Sequence, residues 1–432
     1  MSLENLLLTS ELSRKLYASV AELPIIDFHN HLSIKDIVEN RQYRDLAELW
    51  VIPDPYKHRA MRICGVPERL ITGDAPPKER FLAWAAVAPQ LLGNPLWHWT
   101  QLELARVFGI EEELTPQTAE AIWRRANELL ATPQFRTRAI LKRFHIEYCA
   151  PCCTLFGDDA ELLATPNHPA GFTISLRGDD LLATAPQRLA QIPSRLDRLH
   201  DLGCRIADHA LDAGFAYLPD AGDDDEILAT GGPTPQHFAS AMLRHLGAEY
   251  ARRGWLLQLH IGALRHTSER LRNAAGPAGG YAAIGHPCDL AAIAALLNDL
   301  ERSPAGLPRT ILYTLNPNDH ATLAVLAGSF PGDGVRGKVQ LGPAWWLCDH
   351  LHGMRECFEA TAAYGVLAAF PGMTTDSRSV LSFVRHEYFR RALCQWLAQK
   401  AANDEMPNDF PRLAQLARSL CYDNAHNILN NK

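Results

Sequence analysis

Short apolar runs rich in β-branched residues recur along this chain, and most are followed by a stretch with helical spacing. Parallel strands can be joined only by a crossover long enough to hold a helix, so this alternation points to βα units around a parallel sheet. The runs are Ile25-Ile26, Ile146-Glu147-Tyr148-Cys149, Phe172-Thr173-Ile174-Ser175-Leu176, Arg205-Ile206-Ala207, Trp255-Leu256-Leu257-Gln258-Leu259, Thr310-Ile311-Leu312-Tyr313, Lys338-Val339-Gln340-Leu341 and Val366-Leu367-Ala368-Ala369-Phe370. Eight such runs in 432 residues predict an α/β fold, a (β/α)8 TIM-type barrel with a helical insertion after strand 1. The insertion is residues 32–141, polar and aromatic, with helical segments such as Glu79-Arg80-Phe81-Leu82-Ala83-Trp84 and Ala119-Glu120-Ala121-Ile122-Trp123. A βα connection is normally a few residues plus its helix, so a segment this long is an addition, expected over the mouth where the βα loops emerge. The expected organisation is 1–31 for the N-terminal segment and strand 1, 32–141 for the insertion, and 142–432 for the remaining barrel and its closing C-terminal helices.

Composition narrows the function. A hydrophobic share of 47% supports a large core. The net charge of −7 and a pI near 6.2 argue against a nucleic-acid partner and leave a small-molecule substrate. The opening Met1-Ser2-Leu3-Glu4-Asn5 is acidic rather than a basic leader, and no apolar stretch reaches membrane-spanning length. A soluble, cytoplasmic protein with no membrane partner is expected, with a homo-oligomer left open. The ten cysteines are scattered from Cys64 to Cys421 and read as reduced thiols. Cys149, Cys152 and Cys153 cluster without a second ligand pair at structural-zinc spacing.

The chemistry concentrates at strand ends. His29 and His31 follow Leu23-Pro24-Ile25-Ile26-Asp27-Phe28, and residues two apart on a strand point the same way, so both imidazoles can face one metal ion. The alternative is an exposed histidine pair. Gly372-Met373-Thr374-Thr375-Asp376-Ser377-Arg378-Ser379 follows the last expected strand and joins an acid to an arginine. Asp376 either completes a His-His-Asp set and serves as a general base, or caps a helix starting near Ser379. Arg378 offers a planar fork for a carboxylate or oxyanion. His260 after Leu257-Gln258-Leu259 is a ligand, an acid, a substrate contact or a core histidine, and Asp208, His209 and Arg177 share that ambiguity. Tyr56 and Arg59 lie in the insertion, where the alternative is a solvated helix face.

Together these segments resemble the amidohydrolase superfamily and, within it, the uronate isomerases. The resemblance is carried by Asp27-Phe28-His29-Asn30-His31-Leu32, Asp54-Pro55-Tyr56-Lys57-His58-Arg59-Ala60-Met61-Arg62, Leu92-Gly93-Asn94-Pro95-Leu96-Trp97-His98-Trp99-Thr100, Gln258-Leu259-His260-Ile261-Gly262-Ala263, Ala344-Trp345-Trp346, Thr375-Asp376-Ser377-Arg378 and Arg385-His386-Glu387-Tyr388-Phe389-Arg390-Arg391. It implies a metal-dependent aldose-ketose isomerase interconverting D-glucuronate with D-fructuronate and D-galacturonate with D-tagaturonate through a cis-enediol. It also implies one divalent ion held by His29, His31 and Asp376, with zinc first and manganese, iron or cobalt also suited to that donor set. Asp376 would move the proton from C2 towards C1, Tyr56 and Arg378 would stabilise the enediol oxygens, and His260 would support metal or substrate. Arg177, Arg59 and Trp346 would contact the substrate. The chain departs from the family at Pro151-Cys152-Cys153-Thr154-Leu155, where uronate isomerases carry Thr-Asp-Asp-Pro. The alternatives are a metal-dependent hydrolase or lactonase acting on a sugar acid, in which the same groups activate water, and a binding protein without activity.

Overall fold

The computed structural model describes residues 3–165, 168–219 and 222–430. They group into two compact units: Met1–Glu147 with Leu264–Ala283 and Thr375–Ala417, and Tyr148–Ala263 with Ile284–Thr374 and Arg418–Lys432. None of the described helices is long and apolar enough to cross a membrane.

The first unit contains β1 (Ile25–Asn30), buried along its whole length, as a strand covered on both faces should be. The insertion folds into helices that include Pro55–Ile63, Pro77–Val87, Pro95–Phe108 and Ala119–Leu130. Two of them start the same way. Asp54 and Asn94 cap with their side chains, accepting from the backbone N–H of Tyr56 and Leu96, and a proline follows at the first helical position, where its missing N–H costs nothing. Behind them runs Val384–Ala402, a helix buried on nearly every face. Its buried cations are consequently paired: Arg390 donates to the carbonyls of Ala21 and Pro24, and Arg391 to Glu387 and the carbonyl of Leu6.

The second unit is built on parallel strands in sequence order: β2 (Ile146–Thr154), β3 (Ser175–Arg177), β4 (Ile206–Leu211), β5 (Leu256–Ile261), β6 (Arg309–Thr314) and β7 (Val339–Leu341). Helices such as Pro235–Arg252, Leu290–Arg302 and Leu351–Tyr364 lie between or after them. The register aligns Arg177, Asp208 and Gln258 at one level and His260 with Tyr313 two residues further along.

The expected closed (β/α)8 barrel does not form. The main sheet is open and has seven strands. Val366–Phe370, expected as the eighth, holds a single 3-10 turn, Leu367–Ala369, with Val366 left 67% exposed. A short apolar run suits a strand or a turn equally, and here Pro371 and Gly372, the latter at φ +101°, cut it off.

Candidate metal centre

Within the first unit, three side chains from opposite ends of the chain converge. Asp376 Oδ1 lies 3.2 Å from His29 Nε2 and 3.1 Å from His31 Nε2, and the two imidazole rings meet edge to face with centroids 5.3 Å apart. His29 lies on β1 and His31 one residue beyond its end, two apart as period-2 alternation of extended chain requires. Asp376 arrives differently. Its segment forms no assigned strand, yet the Asp376 N–H donates to the His29 carbonyl at 3.1 Å and the His31 N–H donates to the Ser377 carbonyl at 2.8 Å. Asp376 itself sits in the left-handed region at φ +49°, which an aspartate tolerates better than most residues. The capping role falls to Ser379 instead, whose hydroxyl accepts from the Leu381 N–H at the turn Val380–Phe383.

Electrostatics prepare this trio for a cation. Burial works to raise the Asp376 carboxyl, but hydrogen bonds and charge from His29 and His31 outweigh it and hold the group well below the usual carboxylate range. Burial pushes His31 down to about 4, despite the pull of Asp376. At neutral pH the set is therefore an anionic oxygen beside a neutral imidazole, the protonation state that metal ligation requires. Donors bound at about 2.1 Å to a tetrahedral ion are separated by about 3.4 Å, close to the spacings seen here. The residues fit a divalent metal.

A second layer of buried groups fixes the trio, a role the sequence reading does not assign to them. Asp27, fully buried, accepts from the Thr375 N–H at 3.0 Å, from His386 Nε2 at 3.1 Å and from Asn30 Nδ2 at 3.0 Å. Arg385 donates to the Thr375 carbonyl at 3.0 Å. The available signal was Asp27 itself: a carboxylate directly after Ile25-Ile26 in a strand must find donors. Tyr56 reaches the same assembly through Arg385, whose guanidinium lies 4.5 Å from the Tyr56 ring centre and 4.0 Å from that of Trp99. Tyr56 and Trp99 also pack edge to face at 6.0 Å. Arg378 is exposed and, with His31, borders a cleft of about 690 Å³. Arg59 donates to the Ala282 carbonyl at 2.9 Å.

The second unit carries the remaining expected residues. His260 is 2% exposed, stacked on Tyr313 at 4.5 Å and packed at a tilt against Trp345 at 4.7 Å, with Nδ1 3.9 Å from Asp208 Oδ2. Asp208 also accepts from Ser175 Oγ at 3.2 Å and from Cys152 Sγ at 3.4 Å. His209 pairs with the Tyr250 hydroxyl at 3.0 Å, the core-histidine alternative realised. Burial works against the charge of Arg177, but Asp208 and Asp179 more than offset it, the latter at 2.7 Å. Trp346, half-buried, follows β7 with φ +48° and packs against Trp345 at 5.7 Å. None of the ten cysteines is in a disulfide.

Comparisons with known proteins place the chain in a family. The family described as glucuronate isomerase matches residues 1–159 and 182–429. The uronate isomerases of Vibrio parahaemolyticus and Serratia proteamaculans are 39% and 40% identical, each comparison covering 98% of this chain and 97% of the relative. Among solved structures, uronate isomerase from Thermotoga maritima matches with a TM-score of 0.88 at 28% identity, covering 99% of this chain and 100% of the other. Glucuronate isomerase from Caulobacter crescentus also gives 0.88, at 25% identity, covering 99% and 96%. The chain is an isomerase belonging to the uronate isomerase family.

Proposed function

We propose that the protein interconverts D-glucuronate with D-fructuronate and D-galacturonate with D-tagaturonate, with His29, His31 and Asp376 holding one divalent ion, zinc first. The observation that carries this reading is the Asp376 carboxylate kept ionised against two imidazoles. When bound, the ion would polarise the substrate's oxygens.

The remaining chemistry belongs to the chain. Removing a proton from a carbon next to a carbonyl needs a base on the carbon and donors where oxyanion charge develops. Asp376 takes the proton at C2 and returns it at C1. The Tyr56 hydroxyl and the Arg378 guanidinium donate to the oxygens of the cis-enediol. Arg385, clamped between the Thr375 carbonyl and the Tyr56 ring, supports a common orientation for base and donor. Arg59, which also donates to the Ala282 carbonyl, contributes a substrate contact. His260, Arg177 and Trp346 contribute substrate contacts, a role supported by the aromatic wall around His260 and by the firmly charged Arg177. A cytoplasmic location belongs to the same reading, supported by ten cysteines none of which is in a disulfide.

Metal-depleted protein titrated with zinc, with ketose formation followed at each addition, tests this. Activity should rise to a plateau at one equivalent per chain. Two tightly bound ions per chain, or full turnover after complete metal removal, would contradict the proposal.

A further inference from the structure

The cleft bordered by His31 and Arg378 extends through the first unit to side chains that isomerisation does not use. Four guanidiniums line it, from Arg41, Arg44, Arg80 and Arg378, against the carboxylates of Asp36 and Glu48. Both carboxylates are engaged: Arg41 lies 3.0 Å from Asp36 and 2.6 Å from Glu48, and Arg44 lies 2.8 Å from Glu48. Arg80 has no such partner. It is 8% exposed, bonds the carbonyl of Ile71 through Nη2, and leaves a buried Nε without a hydrogen-bond partner among the described residues. None of the ion pairs found among the described residues reaches it.

Burial lowers its pKa with no acidic neighbour to restore it. A guanidinium nevertheless keeps its charge at cellular pH. A buried cation whose protein partner is only a backbone dipole is unfavourable unless an anion can reach it. His58, 5% exposed on the same lining, is pushed down to about 4 by burial and so stays neutral, offering a ring N–H and no competing charge. A volume of about 690 Å³ suits a small metabolite. His31 and Arg378 border the cleft but Asp376 does not line it, so an Asp376 variant distinguishes the region around Arg80 from the metal centre.

We propose that this cleft binds the oxyanion group of a small molecule, a carboxylate or a phosphate, with Arg80 as the pairing charge and His58 as a neutral donor beside it. The chemistry is shared by both anions, because the planar guanidinium fork presents two parallel N–H groups to either.

Calorimetric titration of the metal-loaded protein with inorganic phosphate and, separately, with malonate tests the proposal, and the tighter of the two identifies the source. One anion per chain should bind. Arg80→Met should weaken it at least about tenfold, the loss expected for a charged hydrogen bond, while Arg80→Lys restores part and His58→Phe loses part. Binding should survive Asp376→Asn. Undiminished binding in Arg80→Met, or in both Arg80→Lys and His58→Phe should Arg80→Met fail to fold, overturns the proposal. Loss of binding in Asp376→Asn alone would assign the anion to the metal centre and overturn it equally.

Discussion

Asp376 carries more of this account than any other residue, because it is at once a ligand and the base on carbon. Asp376→Asn keeps the shape and removes the charge, so kcat should fall by about 10²–10⁴, the usual contribution of a positioned base, with near-ultraviolet circular dichroism unchanged. Near-normal turnover in the folded variant would take Asp376 out of the chemistry. Tyr56 makes the complementary case. A donor to developing charge shows in kcat rather than KM, so Tyr56→Phe should lower kcat by about 10²–10³ and leave KM within a small factor. A defect confined to KM would return Tyr56 to a packing role against Trp99 and Arg385. At this scale the sequence was legible where chemistry follows spacing, as in His29 and His31. Asp27, Thr375 and Arg385 lie in segments that carry the family resemblance, but their roles were not legible, because Asp27 and Arg385 act through the backbone of Thr375, a residue distant in sequence from Asp27.

Among the elements, the helix Pro55–Ile63 is held from two sides. Lys57, 1% exposed, reaches Asp54 at 2.5 Å and Glu103 at 3.7 Å, with the Trp50 and Trp84 rings above it. Lys57→Met would leave two buried carboxylates without their cation and should cost about 3–5 kcal/mol by denaturant titration. A loss below about 1 kcal/mol would mean that the carboxylates protonate or find water instead. On its other side the helix meets the turn at Gly280. A Cβ there would stand 2.3 Å from the Pro55 carbonyl oxygen, at a φ of +79° that disfavours any side chain. Seven of the eight expected strands are present because buried parallel strands announce themselves as apolar runs. The eighth failed because Val366–Phe370 lies too near Gly372 to extend, and the task of holding Asp376 beside β1 passed to two backbone hydrogen bonds that leave no pattern in the residues.

At the scale of the whole molecule, stability and activity can be separated by pH. Burial works to raise the Glu387 carboxyl, but Arg106 and Arg391 outweigh it and hold the group below its ordinary 4.5. A depressed folded pKa means that the unfolded chain binds more protons in that window. The stabilisation is complete above pH 4.5 and is lost as pH falls through the lower folded value. Urea midpoints should therefore fall below pH 4.5, and Glu387→Gln should flatten that slope while lowering the neutral-pH midpoint; an unchanged slope would assign acid sensitivity elsewhere. The central claim, that Asp376 and its two histidines support aldose-ketose isomerisation of hexuronates, is tested most directly by proton NMR of the zinc-loaded protein with D-glucuronate and D-galacturonate in D2O. The account predicts that fructuronate and tagaturonate appear and that Asp376→Asn yields neither. No ketose from either sugar, together with hydrolysis of a sugar-acid lactone by the same preparation, would contradict it.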